Sequence, residues 1–410
     1  MANDTLRRFS ALNDTDRTID AQGLRQLEAA LKADKELLMG NIILLGEVPS
    51  YAGTWMSDDE TADPSYSVRA RFFAERLAEL GADECGTDRL GNPIGLVKGS
   101  EPARAPILVV AELDSLYAPN GDIHYELRDG NIYGPGILDN ALGAAAALSL
   151  PDMLKRHGAP LRGDLIIAGL ANTMRDAKNI ALIERFVDGL ERKPCAAVIV
   201  KGGELGRLNY FSDAVIRADL VCERREDERG AAEDMVVTAT ELVDRFLGIR
   251  IPKRPKSSLT VGMIKAGRKY GDPAAHARIG LEIRSLSNDV LAELSRQVKD
   301  IVDLVRYEQR VDLVYDVAVE LGAQNLGWEH PLVRTAVGVM RALELEPDVY
   351  PSVSELFYFL DRGIPAVTVG VARGQDYHQE TAHASIDSLF TGMAQLMGLV
   401  TALDTGGCHG

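Results

Sequence analysis

The chain has 410 residues, 61 of them acidic and 45 basic, for a formal net charge of −16. That length suggests two or three domains, each able to bury its own core, and 46% apolar with 26% charged residues is ordinary for a globular protein. The acid excess argues against general nucleic-acid binding and against docking on an anionic membrane, because phosphates would be repelled.

In chain order, residues 1–20 form a polar extension with no apolar signal core. From Gln22 to Leu45, the residues Leu24, Leu27, Leu31, Leu37 and Leu38 recur at near-helical intervals. A second helix over 67–80 places Val68, Phe72 and Leu77 on overlapping faces and stops at Gly81. Strand-like runs then occupy 106–113, 164–171, 196–202 and 364–372, with helical stretches at 140–156, 173–188, 331–345 and 386–403. Apolar β-formers alternating with helices describe an α/β fold, a mostly parallel sheet with helices on both faces. The stretch 208–320 reads differently, with the charged run CERREDERGAAED and the basic loop PKRPKSS. We take it as an inserted α+β domain, leaving 1–207 and 321–410 as the main α/β domain. Cys85, Cys195, Cys222 and Cys408 lie far apart with no CxxC pair, which fits a reducing compartment. No apolar run approaches a membrane span. The expectation is a soluble, cytoplasmic protein.

Ligands of open α/β sheets bind beyond the carboxyl ends of the strands. The residues of interest are therefore those that close each apolar run. The first run gives Glu112 and Asp114 in VVAELDSLY, and a turn-rich stretch then sets Asp139 and Asn140 ahead of an alanine-rich helix. The second ends at Asn172 and Thr173, the third at Lys201 in VIVKGGELG, and the last leads to His378 in GQDYHQETAHASIDSL.

Four segments, in order, resemble the dizinc metallohydrolase family of aminoacylase, acetylornithine deacetylase, glutamate carboxypeptidase and bacterial tripeptidase (peptidase family M-twenty). RARFFAERLAELGADECGTDRLGNPIG is similar to that family's opening helix and strand. IYGPGILDNALGAAAAL resembles its bridging-aspartate motif, and VGMIKAGRKYGDPAAHARIGLEIRS the strand pair of its lid domain. DRGIPAVTVGVARGQDYHQETAHASIDSLFTGMAQL resembles its last strand, last metal histidine and closing helix. The resemblance implies a zinc-exopeptidase-like sheet with an inserted lid/dimerisation domain.

The family holds two zinc ions with His, Asp, Glu and His ligands and uses a further glutamate as general base. Carried over position by position, the first ligand histidine falls on Glu112 and the aspartate that orients it on Asp114. The bridging aspartate falls on Asp139, and the base and adjoining ligand glutamates on Asn172 and Thr173. The next carboxylate ligand falls on Lys201 and the final histidine on His378. Asp139 and His378 are thus the remnant metal ligands, while the base position is Asn172. Of the lid's polar groups, only Arg284 in LEIRS is kept, and no histidine occurs between His157 and His276.

Lys201 is the most informative replacement. A protonated amine cannot ligate a metal but can occupy its place among Glu112 and Asp139, where unpaired carboxylates would be costly. Plainer readings exist for each residue: Lys201 as a solvated lysine, Glu112 as a loop carboxylate, Asp139 as a helix cap, Arg284 as the partner of a lid carboxylate. The competing histidine, His383, reads as a surface residue.

Two functions from different classes follow. The first is a non-catalytic family member with no cofactor, binding a small peptide-like or amine-bearing molecule or serving as a partner subunit. The second is a peptidase or N-acyl amino acid deacylase with one divalent metal (Zn, Mn or Co) on Asp139, His378 and Glu112, its base a glutamate such as Glu204 or Glu355 from a neighbouring loop. The resemblance also raises a homodimer through the lid.

Overall fold

The computed structural model describes residues 19–407, except 49, 51–63, 116–122, 159, 172, 174–180, 226–233, 353–354 and 378. Most of the polar extension, part of the charged run, and Cys408 with the tail that follows it lie outside the described residues.

The chain opens with helices α1 (Ala21–Ala33) and α2 (Lys35–Gly46), where the sequence pattern reads as one helix. The break is Asp34, whose φ of −111° and ψ of 49° leave the helical region. Its carboxylate instead meets Arg156 and the His157 Nε2, 3.1 Å away, a tertiary contact that no periodicity announces. Helix α3 (Pro64–Glu79) ends as expected at Gly81, which takes φ +92° while the Ala82 N–H bonds back to Leu77 O at 3.1 Å.

Strands β1 (Glu84–Thr87), β2 (Pro93–Val97) and β3 (Ile107–Glu112) follow, then helix α4 (Leu142–His157), strand β4 (Leu165–Leu170), helix α5 (Ala181–Asp188), and strands β5 (Ala196–Lys201) and β6 (Arg207–Asn209). An inserted stretch holds β7 (Ala214–Glu223), α6 (Met235–Leu247), β8 (Ser257–Ala266), β9 (His276–Ser285), α7 (Asn288–Gln309) and β10 (Asp312–Leu321). The chain returns through α8 (Pro331–Ala342), β11 (Asp348–Val349), α9 (Leu356–Asp361), β12 (Ala366–Gly370) and α10 (Ile386–Ala402).

Two compact units result, one of Met1–Phe211 with Asn325–Gly410, the other of Ser212–Gln324. In the first, eight strands run in the order β1-β2-β4-β3-β5-β12-β6-β11. The central four, β4, β3, β5 and β12, are parallel. Every residue of β3, β5 and β12 is buried, which is what continuous apolar runs such as ILVVA and AAVIV require. The connection from β3 to β4 and the one from β4 back past β3 to β5 run in opposite directions. Right-handed crossovers therefore place their helices on opposite faces of the sheet. Helix α10 and the turn after it, Ile386–Gly406, are long and apolar enough to cross a membrane. However, 83% of their apolar window is buried inside the protein, as expected of a core helix.

The second unit is a four-stranded antiparallel sheet, ordered β8-β9-β7-β10. Its core joins Ile216, Leu220, Ile279 and Ile283 of the strands to Leu242 and Phe246 of α6 and to Leu294, Val298 and Val302 of α7.

Candidate functional site: a buried lysine between two glutamates

The parallel strands end together, so their last residues share one edge. In the ladder between β3 and β5, Ala111 lies opposite Val200. The next residues, Glu112 and Lys201, are therefore neighbours, and the pleat sends their side chains the same way. Lys201 Nζ donates to Glu112 Oε2, and it also donates to Glu355 Oε1 at 2.5 Å. Glu355 immediately precedes the short apolar helix α9, whose buried Leu356, Phe357, Tyr358 and Phe359 draw the carboxylate inward. Glu112 is 3% exposed, Glu355 0% and Lys201 9%, which removes the reading of Lys201 as a solvated surface group.

The surroundings fix this triad. Thr173, three residues beyond β4, is buried, and its hydroxyl donates to Glu112 Oε1 at 2.8 Å, with Asp114 Oδ2 farther off at 3.4 Å. Asp114 is fully buried, and its carbonyl accepts from Asn140 Nδ2 at 2.7 Å. The carbonyl of Leu113, between the two acids, accepts from the buried guanidinium of Arg69 at 2.9 Å and from the Ser50 hydroxyl. Behind Lys201, helix α4 approaches so closely that a Cβ on Gly143 would lie 2.6 Å from Val200 O. Glycine is required there by contact, not by conformation.

Electrostatics follow from that burial. Desolvation, then the nearby Glu355 charge, outweighs the pull of Lys201 and pushes Glu112 up to about 8. Burial also opposes the charge on Lys201, but Glu112 and Glu355 overcome it and hold the ammonium above its ordinary value. Burial thus favours a proton on Glu112 and keeps the charge on Lys201, which moves the triad from the net −1 of two ionised carboxylates around one lysine toward neutrality.

Of the residues singled out from the sequence, the fold brings together Glu112, Asp114, Thr173 and Lys201. Asn172, His378 and the side chain of Asp139 lie outside the described residues, although the backbone of Asp139 falls in the π-helical turn Ile137–Ala141. Arg284 belongs to the second unit, where its Nε donates to Glu282 Oε1 at 2.5 Å; Arg217 reaches the other oxygen at 2.8 Å. Burial opposes the charge of Glu282, but Arg284 and Arg217 outweigh it and keep the carboxylate low. His383 lies in a short strand, its ring stacked on Tyr133 with centroids 4.7 Å apart. Glu204 turns to Arg207 and Tyr350 rather than to Lys201. Glu355 is the one member of the triad that strand-end reasoning does not select. The sequence offered it only as one of two loop glutamates, with Glu204; the signal that separates them is that Glu355 leads directly into LFYF, a run too apolar to face water.

The model of peptidase family M20/M25/M40 matches residues 108–402, most of the chain. The chain belongs to this family. Solved structures with the same fold include the aminopeptidase PepT of Bacillus cereus ATCC 10987, at 15% identity and a TM-score of 0.69 over 90% of this chain and 98% of that one. The dipeptidase Dug1p of Saccharomyces cerevisiae is similar at 12% identity and a TM-score of 0.72, covering 94% and 99%. Human carnosine dipeptidase 1 follows at 12% and 0.65, covering 93% and 99%. No curated protein sequence matches the chain.

Among the described residues, the donor set at the strand ends does not fit a divalent metal. An ammonium offers no lone pair, and here it occupies the oxygens that Glu112 and Glu355 would turn toward an ion. Among the described residues, no three His, Cys, Asp or Glu side chains group as metal ligands do.

Proposed function

We propose that this M20-family protein does not hydrolyse amide bonds and serves as a binding protein or partner subunit built on the peptidase scaffold. The observation that carries this reading is the engagement of both strand-end carboxylates, Glu112 and Glu355, by Lys201. A general base must reach water, and Glu112 and Glu355, 3% exposed or less and both held by Lys201, are shut away from it. Loss of such a base typically costs ~10²–10⁴-fold, before the loss of metal activation is counted. The cleft beyond the strand ends would take a small peptide-like or amine-bearing molecule. Homodimerisation through the inserted unit and a cytoplasmic location belong to the same proposal.

A second reading, a peptidase or N-acyl amino acid deacylase with one metal, draws support from Glu355, a loop glutamate that does reach the strand ends. Its hold on Lys201 is what disfavours it. The two readings separate in one assay. Purified protein is incubated with di- and tripeptides and N-acyl amino acids, with and without zinc, manganese or cobalt, and free amine is measured. No turnover above the buffer rate supports the non-hydrolytic reading. Turnover that depends on added metal and disappears with chelator overturns it.

A further inference from the structure

We infer that Lys201 is the resident cation of this site: its ammonium takes the place of a divalent metal, ties β3, β5 and α9 together, and closes the strand ends to metal ions. The inference deepens the non-hydrolytic reading, with which it shares the site.

Three features point to replacement rather than to an incidental ion pair. First, the contacts come from three separate elements: Glu112 closes β3, Lys201 closes β5, and Glu355 opens α9, 154 positions along the chain from Lys201. Cross-linking distant elements through oxygen donors around a central positive charge is what a structural metal does. Second, the group is sealed. The lysine is 9% exposed, and Thr173 takes up the remaining oxygen of Glu112 at 2.8 Å. An exposed pair would be screened and weak, whereas a buried charge of either sign cannot be left alone. Third, the arrangement is self-consistent in charge. A divalent ion brought to Glu112 or Glu355 would have to displace the ammonium or sit beside it, and like charges at that range in a buried site repel strongly.

The replacement is covalently tethered, so it can be cut out and supplied again. Lys201→Ala removes the ammonium and most of its stem, leaving a channel lined by two carboxylates that n-propylammonium would fill. The thermal midpoint of Lys201→Ala should fall by at least ~5 °C relative to wild type. Millimolar n-propylammonium chloride should restore most of that loss, while equal sodium chloride should not. In Lys201→Ala/Glu112→Gln, which has one carboxylate fewer, the rescue should weaken by a factor of several. The companion variant, Lys201→Glu, should bind zinc or manganese after desalting where wild type retains none, counted as metal atoms per chain by mass spectrometry. If Lys201→Glu does not fold, the rescue of Lys201→Ala decides alone. If Lys201→Ala melts with wild type, or n-propylammonium acts no better than sodium, Lys201 is no resident cation. Wild type that retains stoichiometric metal overturns the exclusion. Hydrolysis by metal-free wild type would sink the functional reading while leaving Lys201 as the cation, so the two failures are distinguishable.

Discussion

Replacing Lys201 with methionine keeps the length and apolar stem of the side chain and deletes only its charge. Two carboxylates at 3% and 0% exposure then lose the ammonium they share. Removing one partner of a buried pair typically costs ~3–5 kcal/mol. Part of that cost is recoverable, since the acids can take up protons, at about 1.4 kcal/mol per pH unit. Lys201→Met should therefore lose ~3–5 kcal/mol at pH 8 and distinctly less at pH 5. Both tryptophans, Trp55 and Trp328, lie outside Ser212–Gln324, so their fluorescence in a urea titration reports the first unit alone. A urea midpoint equal to wild type at pH 8 would mean that water reaches Glu112 and Glu355, and the argument from burial would fail. An equal loss at both pH values would instead indicate lost packing rather than uncompensated charge.

Three further predictions use the same readout. Glu112 is raised to about 8 in the folded chain, above its unfolded value of roughly 4.3, so the folded state holds an extra proton between those values. That contribution is fully present below the unfolded value, declines as pH rises through the window, and is gone above about 8; Glu112→Gln should flatten the fall, and an unchanged slope would refute the assignment. Thr173→Val deletes the 2.8 Å hydrogen bond to Glu112 Oε1 and should cost ~1–3 kcal/mol, as for a buried acceptor left unsatisfied; a neutral result would place the hydroxyl elsewhere. Gly143→Ala puts a methyl group 2.6 Å from Val200 O and 3.0 Å from the Lys201 carbonyl carbon, so it should cost ~1–3 kcal/mol and speed amide exchange along β5; protection equal to wild type would show that α4 gives way freely.

The sequence by itself determined the sheet. Runs such as ILVVA, LIIAGL and AAVIV are apolar at every position, which only a strand covered on both faces tolerates, and the helices between them oblige those strands to run parallel. Parallel strands put their carboxyl ends on one edge, so the sequence alone already places Glu112, Thr173 and Lys201 at that edge. The pattern did not reveal the break at Asp34, because Arg156 and His157 reach it from the far end of α4. Glu355 could be named only as one of two loop glutamates, with Glu204, able to reach the site; that Glu355 meets Lys201 while Glu204 turns to Arg207 is decided by packing far along the chain. Register, burial and the meeting of three elements at one nitrogen are properties of packing. The tertiary structure alone decides that Lys201 is enclosed rather than solvated, and that the acid completing its shell is Glu355. Local pattern sets which residues lie at the strand ends; the closing of α9 over them sets which charges must be paired, because burial makes an unpaired one too costly to keep.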